Sequence, residues 1–240
     1  MDQRIQASKE HFDITQIYLG KLYDIRVRCE IIARRLDQVE GLDILDLGCG
    51  NGTLSLQFQD KAESLMLVDV SENMLSETKK NINPRYEHKV TCLQSDIDSF
   101  NPTKQFDIVI GSGILAHVPS LDSAIKKISH CLKPDGKCFI QITDHNQILS
   151  KINLFYNHLL DIVFQNFSYK RNIFYKSDIL LYFQKHGLKL LTEDQYSLVF
   201  PLAKSIFPDQ TLYNFTKSTA KNPILSKLGA DFMLQFTKEK

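Results

Sequence analysis

The sequence predicts an α/β fold in which short strands alternate with helices to build a doubly wound, mostly parallel sheet. Three observations point there. Between Gly41 and Thr143, short apolar runs alternate with stretches of helical periodicity. Several runs, Leu65-Met66-Leu67-Val68 among them, are apolar without alternation, as strands covered by helices on both faces should be. The composition is also globular: of 240 residues, 43% are apolar, 24% charged and 10% aromatic. That supports a core in one generous domain and excludes disordered, collagenous and coiled-coil classes.

The elements follow in order. Strands are expected at Asp43–Leu47, Leu65–Val70, Lys89–Leu93, Phe106–Ile110 and Lys137–Thr143. Ser71 precedes a helix through Met74, Leu75 and Thr78, and Pro84 lies beyond its close. The clearest helix places Leu121, Ala124, Ile125, Ile128, Cys131 and Leu132 on one face. Ser120 can cap it, Asp122 suits its positive end, and Pro134 follows it. Later come a helix over Ser177–His186 stopped by Gly187, a sixth strand over Leu188–Leu198, and a closing edge strand over Gly229–Phe236. In such sheets ligands sit at the carboxyl ends of the strands.

The first strand end carries the strongest signal. Asp43-Ile44-Leu45-Asp46-Leu47-Gly48-Cys49-Gly50-Asn51-Gly52 runs from a strand into a glycine-rich turn, with a helix expected to open at Thr53. Glycines there permit positive φ and close backbone approach to a ligand. A pyrophosphate turn wants G-x-G-x-x-G, whereas this spacing is G-x-G-x-G. Asp46 just before the turn would repel a pyrophosphate and suits a positively charged ligand.

This stretch and its downstream partners resemble the class I S-adenosylmethionine-dependent methyltransferase family, of small-molecule type. The resemblance implies a Rossmann-like seven-stranded sheet whose last strand is antiparallel, with an N-terminal helical lid and a helical cap. It implies that Asp46, Gly48, Cys49, Gly50, Asn51 and Gly52 cradle the methionine part of S-adenosylmethionine. Asp69, closing the second strand 23 positions beyond Asp46, would hold the ribose hydroxyls, with Val70 and Met74 near the adenine. Gln94-Ser95-Asp96-Ile97 is similar to the family's adenine site, where Asp96 would accept from the exocyclic amine and the Ile97 amide would meet the ring. At the end of strand four, the Gly111 carbonyl, beside Ser112, would meet the cofactor's ammonium. Leu132-Lys133-Pro134-Asp135-Gly136-Lys137 is similar to the family's Leu-x-Pro-Gly-Gly turn, with Asp135 in place of a glycine because Asp visits the left-handed region readily. On Tyr18–Arg35, the resemblance would make Tyr23 and Arg28 part of a lid, Arg28 offering a planar fork to the methionine carboxylate.

The resemblance divides the chain into a helical lid over 1–40, a cofactor-binding core over 41–145, a helical cap over 146–186, and a C-terminal part of the sheet over 187–240 with helical insertion about 201–228. The segment Ile148–Tyr175, with Leu154, Phe155, Tyr156, Leu159, Leu160, Val163, Phe164, Phe167 and Phe174, is too apolar for a loop and is expected to form cap helices with these side chains in the cap's core.

A sulfonium methyl is already activated, so the enzyme's work is to hold an acceptor in line and exclude water. A general base helps where the acceptor is a hydroxyl. His117 after strand four, and Asp144 and His145 at the end of strand five, are the candidates. The histidines show no metal-ligand spacing, and the five cysteines lack C-x-x-C and look like small core residues.

Charge and exclusion narrow the partner. Lys and Arg number 29 against 28 Asp and Glu, a net charge of +1 that disfavours nucleic acid. No Asn/Asp-Pro-Pro-aromatic turn follows strand four, and no paired-glutamate loop appears. A polar N-terminus and the lack of any apolar run of roughly 18 residues predict a cytoplasmic protein without a membrane span. The expectation is methyl transfer to oxygen or nitrogen of a small organic acceptor (natural product, sugar or quinone precursor) by a monomer or homodimer, releasing S-adenosylhomocysteine. Two alternatives stay open: a cofactor-binding protein of this fold without methyl transfer, and a nicotinamide-dependent dehydrogenase, which the glycine spacing and Asp46 count against.

Overall fold

The computed structural model describes residues 3–13, 22–36, 40–164, 171–200 and 202–239. Its strands are β1 (Leu42–Leu47), β2 (Ala62–Asp69), β3 (Val90–Gln94), β4 (Phe106–Ser112), β5 (Leu132–Thr143), β6 (Leu188–Tyr196) and β7 (Asp231–Lys238). The helices are α1 (Gln3–Asp13), α2 (Leu22–Leu36), α3 (Glu72–Asn81), α4 (Leu121–Cys131), α5 (Ile148–Phe164), α6 (Lys176–Lys185), α7 (Ala203–Ile206) and α8 (Asp209–Lys221). The seven strands form one sheet in the order β3-β2-β1-β4-β5-β7-β6. β7 pairs antiparallel with both β5 and β6, and the remaining ladders are parallel. The doubly wound sheet with an antiparallel last strand is therefore as predicted.

One detail differs: β7 is not an edge strand. It is inserted between β5 and β6, so β6 forms the edge. Its buried run Asp231-Phe232-Met233-Leu234-Gln235-Phe236 fits that interior place, since both faces of β7 are covered.

Two apolar layers hold the sheet. On one face Ile25, Ile32 and Leu36 of α2, with Leu212 of α8, pack on Ile44, Leu67, Ile110, Phe139 and Met233. On the other, Ile125 and Ile128 of α4 and Ile179 and Phe183 of α6 pack on Val109, Ile140, Phe232 and Phe236. Phe183 stacks on Phe236 with ring centroids 4.0 Å apart. Ala124, Ile125, Ile128 and Cys131 are fully buried, as the helical spacing predicts, and each such isoleucine contributes about 1.5–3 kcal/mol of burial. The Ser120 Oγ accepts the Ser123 N–H at 3.3 Å and caps α4. Ser71 caps α3 in the same way through the Met74 N–H.

Three local expectations are corrected. The turn after β1 does not open an α-helix at Thr53; only one 3-10 turn forms, Ser55–Phe58. β2 starts at Ala62, so no length remains for more. β5 begins at Leu132, before the expected Lys137, and its register against β4 jumps from Phe106↔Leu132 to Ile108↔Lys137. The extra residues bulge around Asp135, whose φ of 61° is the left-handed conformation expected of it. A Cβ on Gly136 would stand 2.8 Å from the Lys133 carbonyl oxygen, so this position admits only glycine. Finally, α5 buries its apolar side chains only in part: Leu149 is buried and Leu154, Tyr156 and Leu160 are half-buried, but Phe155 is 65% exposed, and Ile152, Leu159 and Ile162 are exposed too, while the side chains of Val163 and Phe164 lie outside the described ones. Phe174 is buried. Tyr18 and Phe167 lie outside the described residues.

Candidate active site

β1, β2 and β4 end together, and the chain leaves β1 through a turn whose glycines all have positive φ: 74° at Gly48, 56° at Gly50 and 75° at Gly52. The turn is tied to β2. The Gly48 and Cys49 N–H groups donate to the Val68 carbonyl at 2.8 and 3.0 Å, and the Gly50 N–H donates to Asp69 Oδ2 at 2.8 Å. From α3, the Thr78 hydroxyl donates to the Gly50 carbonyl at 2.9 Å. A Cβ on Gly52 would lie 2.8 Å from Thr78 Cγ2, so the absent side chain is what lets α3 close on the turn. Asn51 is buried and turns its Oδ1 to the Thr53 hydroxyl at 2.7 Å.

Asp46 lies buried beneath this turn. Its Oδ2 accepts from the Ser55 hydroxyl, and its Oδ1 has no hydrogen-bond partner among the described residues. Burial pushes its carboxyl up to about 7, against the Ser55 hydrogen bond and with the Asp69 charge adding to the rise. Asp69 is also buried, and its Oδ1 accepts the Ser71 N–H at 2.9 Å. Burial raises its carboxyl above the usual range, while the Ser71 and Gly50 N–H groups oppose the rise. Half-buried Val70 and fully buried Met74 follow on the way into α3. From α1, Asp13 accepts the Ser71 hydroxyl, which brings the first helix to this strand end.

After β3, Ser95 donates its N–H to the Asp69 carbonyl at 3.0 Å. Asp96 turns one oxygen, Oδ1, to the N–H groups of Asp98 and Ser99, both at 2.9 Å, and Ile97 is buried. The glycine turn, Asp69 and the segment after β3 are thus joined through backbone hydrogen bonds into one rim.

A second polar group occupies the ends of β4, β5, β6 and β7. Gly111 is buried so tightly that a Cβ there would meet Ile140 Cδ1 at 3.0 Å. Next to it, Ser112 Oγ accepts Arg28 Nη1 at 3.0 Å, and Tyr196 accepts Arg28 Nε at 3.0 Å. Arg28 also forms an ion pair with Asp24 one turn earlier in α2. Tyr23 is buried beside them, its N–H donating to Asp209 Oδ1 at 3.0 Å. Asp231 accepts from Thr143 and Gln141. Burial raises the Asp231 carboxyl to about 6, with the Asp24 charge adding and Arg28 opposing.

The expected catalytic candidates lie nearby. His117 ends the 3-10 turn Ile114–Ala116, its N–H donating to the Ile114 carbonyl at 2.9 Å. His145 Nδ1 stands 3.0 Å from the Phe174 carbonyl oxygen. Asp144 Oδ1 accepts the N–H groups of Asn146 and Lys176 at 3.1 and 3.2 Å, and Gln147 donates to its Oδ2 at 3.4 Å. Asn172 donates to the Leu115 and Val118 carbonyls at 3.1 and 2.8 Å. The strap 171–176 is therefore stitched to the loops after β4 and β5.

Asp24, Asn172, Tyr196 and Asp231 were not singled out from the sequence. Only Asp24 left a local signal there, four positions before Arg28 on a helix. Among the described residues, no group of three or more His, Cys, Asp or Glu is placed to hold a metal ion, and no helix is long and apolar enough to cross a membrane.

Comparison with known proteins agrees with this fold. A mouse mitochondrial ubiquinone biosynthesis O-methyltransferase is 31% identical over 116 residues, 46% of this chain and 31% of that protein. A Coxiella burnetii ubiquinone biosynthesis O-methyltransferase is 30% identical over 121 residues, 50% of this chain and 51% of that protein. The chain thus spans a third to a half of the length of the curated relatives it matches. In fold, it resembles the magnesium protoporphyrin IX methyltransferase of Synechocystis, solved with bound S-adenosylhomocysteine, at a TM-score of 0.68 and 13% identity over 99% of this chain and 100% of that one. The methyltransferase-domain family matches residues 38–195, and the chain belongs to that family, the class I S-adenosylmethionine-dependent methyltransferases.

Proposed function

We propose that the protein transfers a methyl group from S-adenosylmethionine to an oxygen of a small phenol- or quinone-type acceptor by in-line displacement. The observation that carries the reading is the glycine turn joined to a buried carboxylate, Gly50 to Asp69, inside a methyltransferase domain. The names of the relatives, ubiquinone biosynthesis O-methyltransferases, support oxygen and a quinone-type acceptor.

The residues present fit the cofactor. Asp46 Oδ1, buried and without a donor among the described residues, suits an ammonium group beside the turn. Asp69 would hold the ribose, since each carboxylate oxygen has a second lone pair beyond the one given to a backbone N–H. Gly48, Cys49, Gly50, Asn51 and Gly52 would line the methionine, with the Gly111 carbonyl and Ser112 at its far side. Val70, Met74, Asp96 and Ile97 would frame the adenine. Tyr23 and Arg28 would cover the methionine end from α2.

When bound, the sulfonium supplies a methyl group already activated for displacement. The chain's share is orientation and exclusion of water. Asp144 anchors the strap 171–176 at the end of β5, Asn172 anchors it after β4, and His117 and His145 would then stand as walls of the acceptor space.

The test is transfer of labelled methyl from S-adenosylmethionine to a panel of phenols and hydroquinones, with amines as the contrast. Label in an ether oxygen supports the proposal. Label only in amines would reassign the acceptor, and cofactor binding without any transfer would favour a binding protein of this fold.

A further inference from the structure

Two buried carboxylates at the carboxyl end of the sheet each keep one oxygen without a hydrogen-bond donor among the described residues: Asp46 Oδ1 and Asp24 Oδ1. The first lies under the glycine turn. The second is on α2, facing the ends of β4, β6 and β7; its partner Arg28 is assigned to the methionine end of the cofactor, but Asp24 itself is assigned nothing. Asp24 is 6% exposed, and its Oδ2 is paired with Arg28. Leaving a buried acceptor unmet is destabilising, more so for a charged group, and a ligand that brings a donor recovers that cost.

The charges facing Asp24 are Arg28 on its own helix and Asp231 from β7, and the phenols of Tyr23 and Tyr196 complete the group. Asp24 holds the guanidinium directly and Asp231 is met by the Thr143 hydroxyl and the Gln141 amide, so Asp24 Oδ1 is the carboxylate oxygen of this cluster left without a donor among the described residues. Burial raises the Asp231 carboxyl, and the Asp24 charge adds to the rise. Other groups at this end are already engaged by the scaffold. Asp144 receives Asn146, Lys176 and Gln147, Asp69 receives Gly50 and Ser71, and His145 Nδ1 meets the Phe174 carbonyl.

We propose that Asp24 Oδ1 receives the reacting hydroxyl of the acceptor and takes its proton as the methyl arrives. The inference rests on the transfer to oxygen proposed above. The O–H bond gives its proton to the Asp24 carboxylate, the O–CH3 bond forms, and the S–CH3 bond breaks to leave S-adenosylhomocysteine. The positive charge of the sulfonium and the negative charge of the carboxylate vanish together. Arg28 and Asp231 act as positioning residues: the guanidinium holds Asp24 through its Oδ2, which leaves Oδ1 for the acceptor, and Asp231 faces the same cluster from β7.

The experiment compares Asp24→Asn with the wild type on two acceptors, a simple phenol and a nitro-substituted phenol already ionised at the assay pH. Calorimetry with S-adenosylhomocysteine runs alongside. With the simple phenol, kcat/KM should fall about a hundredfold, as loss of a general base does. With the ionised phenol it should hold or rise, because a carboxylate there repels a phenolate. Affinity for S-adenosylhomocysteine reads Arg28, the partner of Asp24 at the methionine end, separately: a change there together with the lost preference for the simple phenol still supports Asp24 as the base. Equal losses on both phenols, or weakened S-adenosylhomocysteine binding with the preference between phenols intact, would overturn the assignment. Should Asp24→Asn not fold, the wild-type pH profile decides: an acid limb with the simple phenol that vanishes with the ionised one supports Asp24, and the same limb with both overturns it. A wild type that methylates neither phenol removes the proposed function and this inference together, whereas a wild type active on both makes the variant a test of Asp24 alone.

Discussion

The Gly50 N–H donates to the side chain of Asp69 at 2.8 Å, so the end of β2 and the turn after β1 are built as one unit. The second oxygen of the same carboxylate takes the Ser71 N–H at the start of α3. A single side chain thus fixes the glycine turn, caps the approach to a helix, and keeps lone pairs for a ligand's hydroxyls. Its raised pKa is the cost of placing that charge in a buried corner.

Asp69→Ala should therefore act twice. Two buried N–H groups lose their acceptor, which predicts a stability loss of about 1–3 kcal/mol in urea unfolding. Affinity for S-adenosylhomocysteine should fall by about 1–3 kcal/mol in calorimetry if the ribose hydroxyls meet this carboxylate. Asp69→Asn keeps one acceptor oxygen and should lose less on both measures. Unchanged affinity in Asp69→Ala would remove the residue from the site.

Two glycines with nearly equal φ should respond unequally to alanine. At Gly41 (φ 71°) an added Cβ meets nothing within 4 Å, whereas at Gly52 (φ 75°) it stands 2.8 Å from Thr78 Cγ2 and 3.0 Å from Leu56 Cδ1. Gly41→Ala should cost only the left-handed backbone term, about 1–2 kcal/mol. Gly52→Ala adds overpacking of about 1–3 kcal/mol and should also weaken S-adenosylhomocysteine binding by pushing α3 off the turn. Chemical denaturation of the two variants side by side checks the difference.

What the sequence made legible was local. The period of the apolar residues in α4, the Ser120 cap and the left-handed Asp135 all depend on a few neighbouring residues, and each is present. The glycine turn and Asp69 were legible because their motif sits at strand ends. The insertion of β7 between β5 and β6 depends on which strand edges meet in space, which no local pattern encodes. The same holds for the contacts of Asp231, Tyr196 and Asn172, whose partners lie far away in the chain. The exposed face of α5 shows the opposite case: an apolar run predicts burial, but burial also needs a facing surface.

Asp46 should make stability fall as pH rises. Its carboxyl titrates near 7 in the folded chain, above the ordinary value of 3.8. The folded state therefore binds the proton more tightly than the unfolded state. Stability is fully present below about pH 4 and is lost progressively as pH rises through 7. Asp46→Asn should flatten that slope in urea titrations taken from pH 4 to pH 8. In the wild type near pH 7, an ammonium placed against Asp46 Oδ1 should expel the proton. Calorimetry of S-adenosylhomocysteine in buffers of different ionisation enthalpy should then show proton release that Asp46→Asn abolishes. A flat wild-type profile would show that Asp46 is ionised throughout.

Asp144 was a candidate for orienting or deprotonating the acceptor, and its contacts predict a different phenotype. Both of its oxygens are engaged, Oδ1 by the N–H groups of Asn146 and Lys176 and Oδ2 by Gln147. It is 4% exposed, and Lys176 is the first residue of α6. Asp144→Ala would leave the start of α6 without its side-chain acceptor and free the strap from the end of β5. The expected loss is about 1–2 kcal/mol of stability, the range of a lost helix cap. S-adenosylhomocysteine affinity should not change, because no residue assigned to the cofactor touches Asp144. On the proposal that the strap shapes the acceptor space and Asp144 only anchors it, turnover should fall through a higher KM for the acceptor, with kcat retained. A loss confined to kcat, with KM and stability unchanged, would return Asp144 to the chemistry itself.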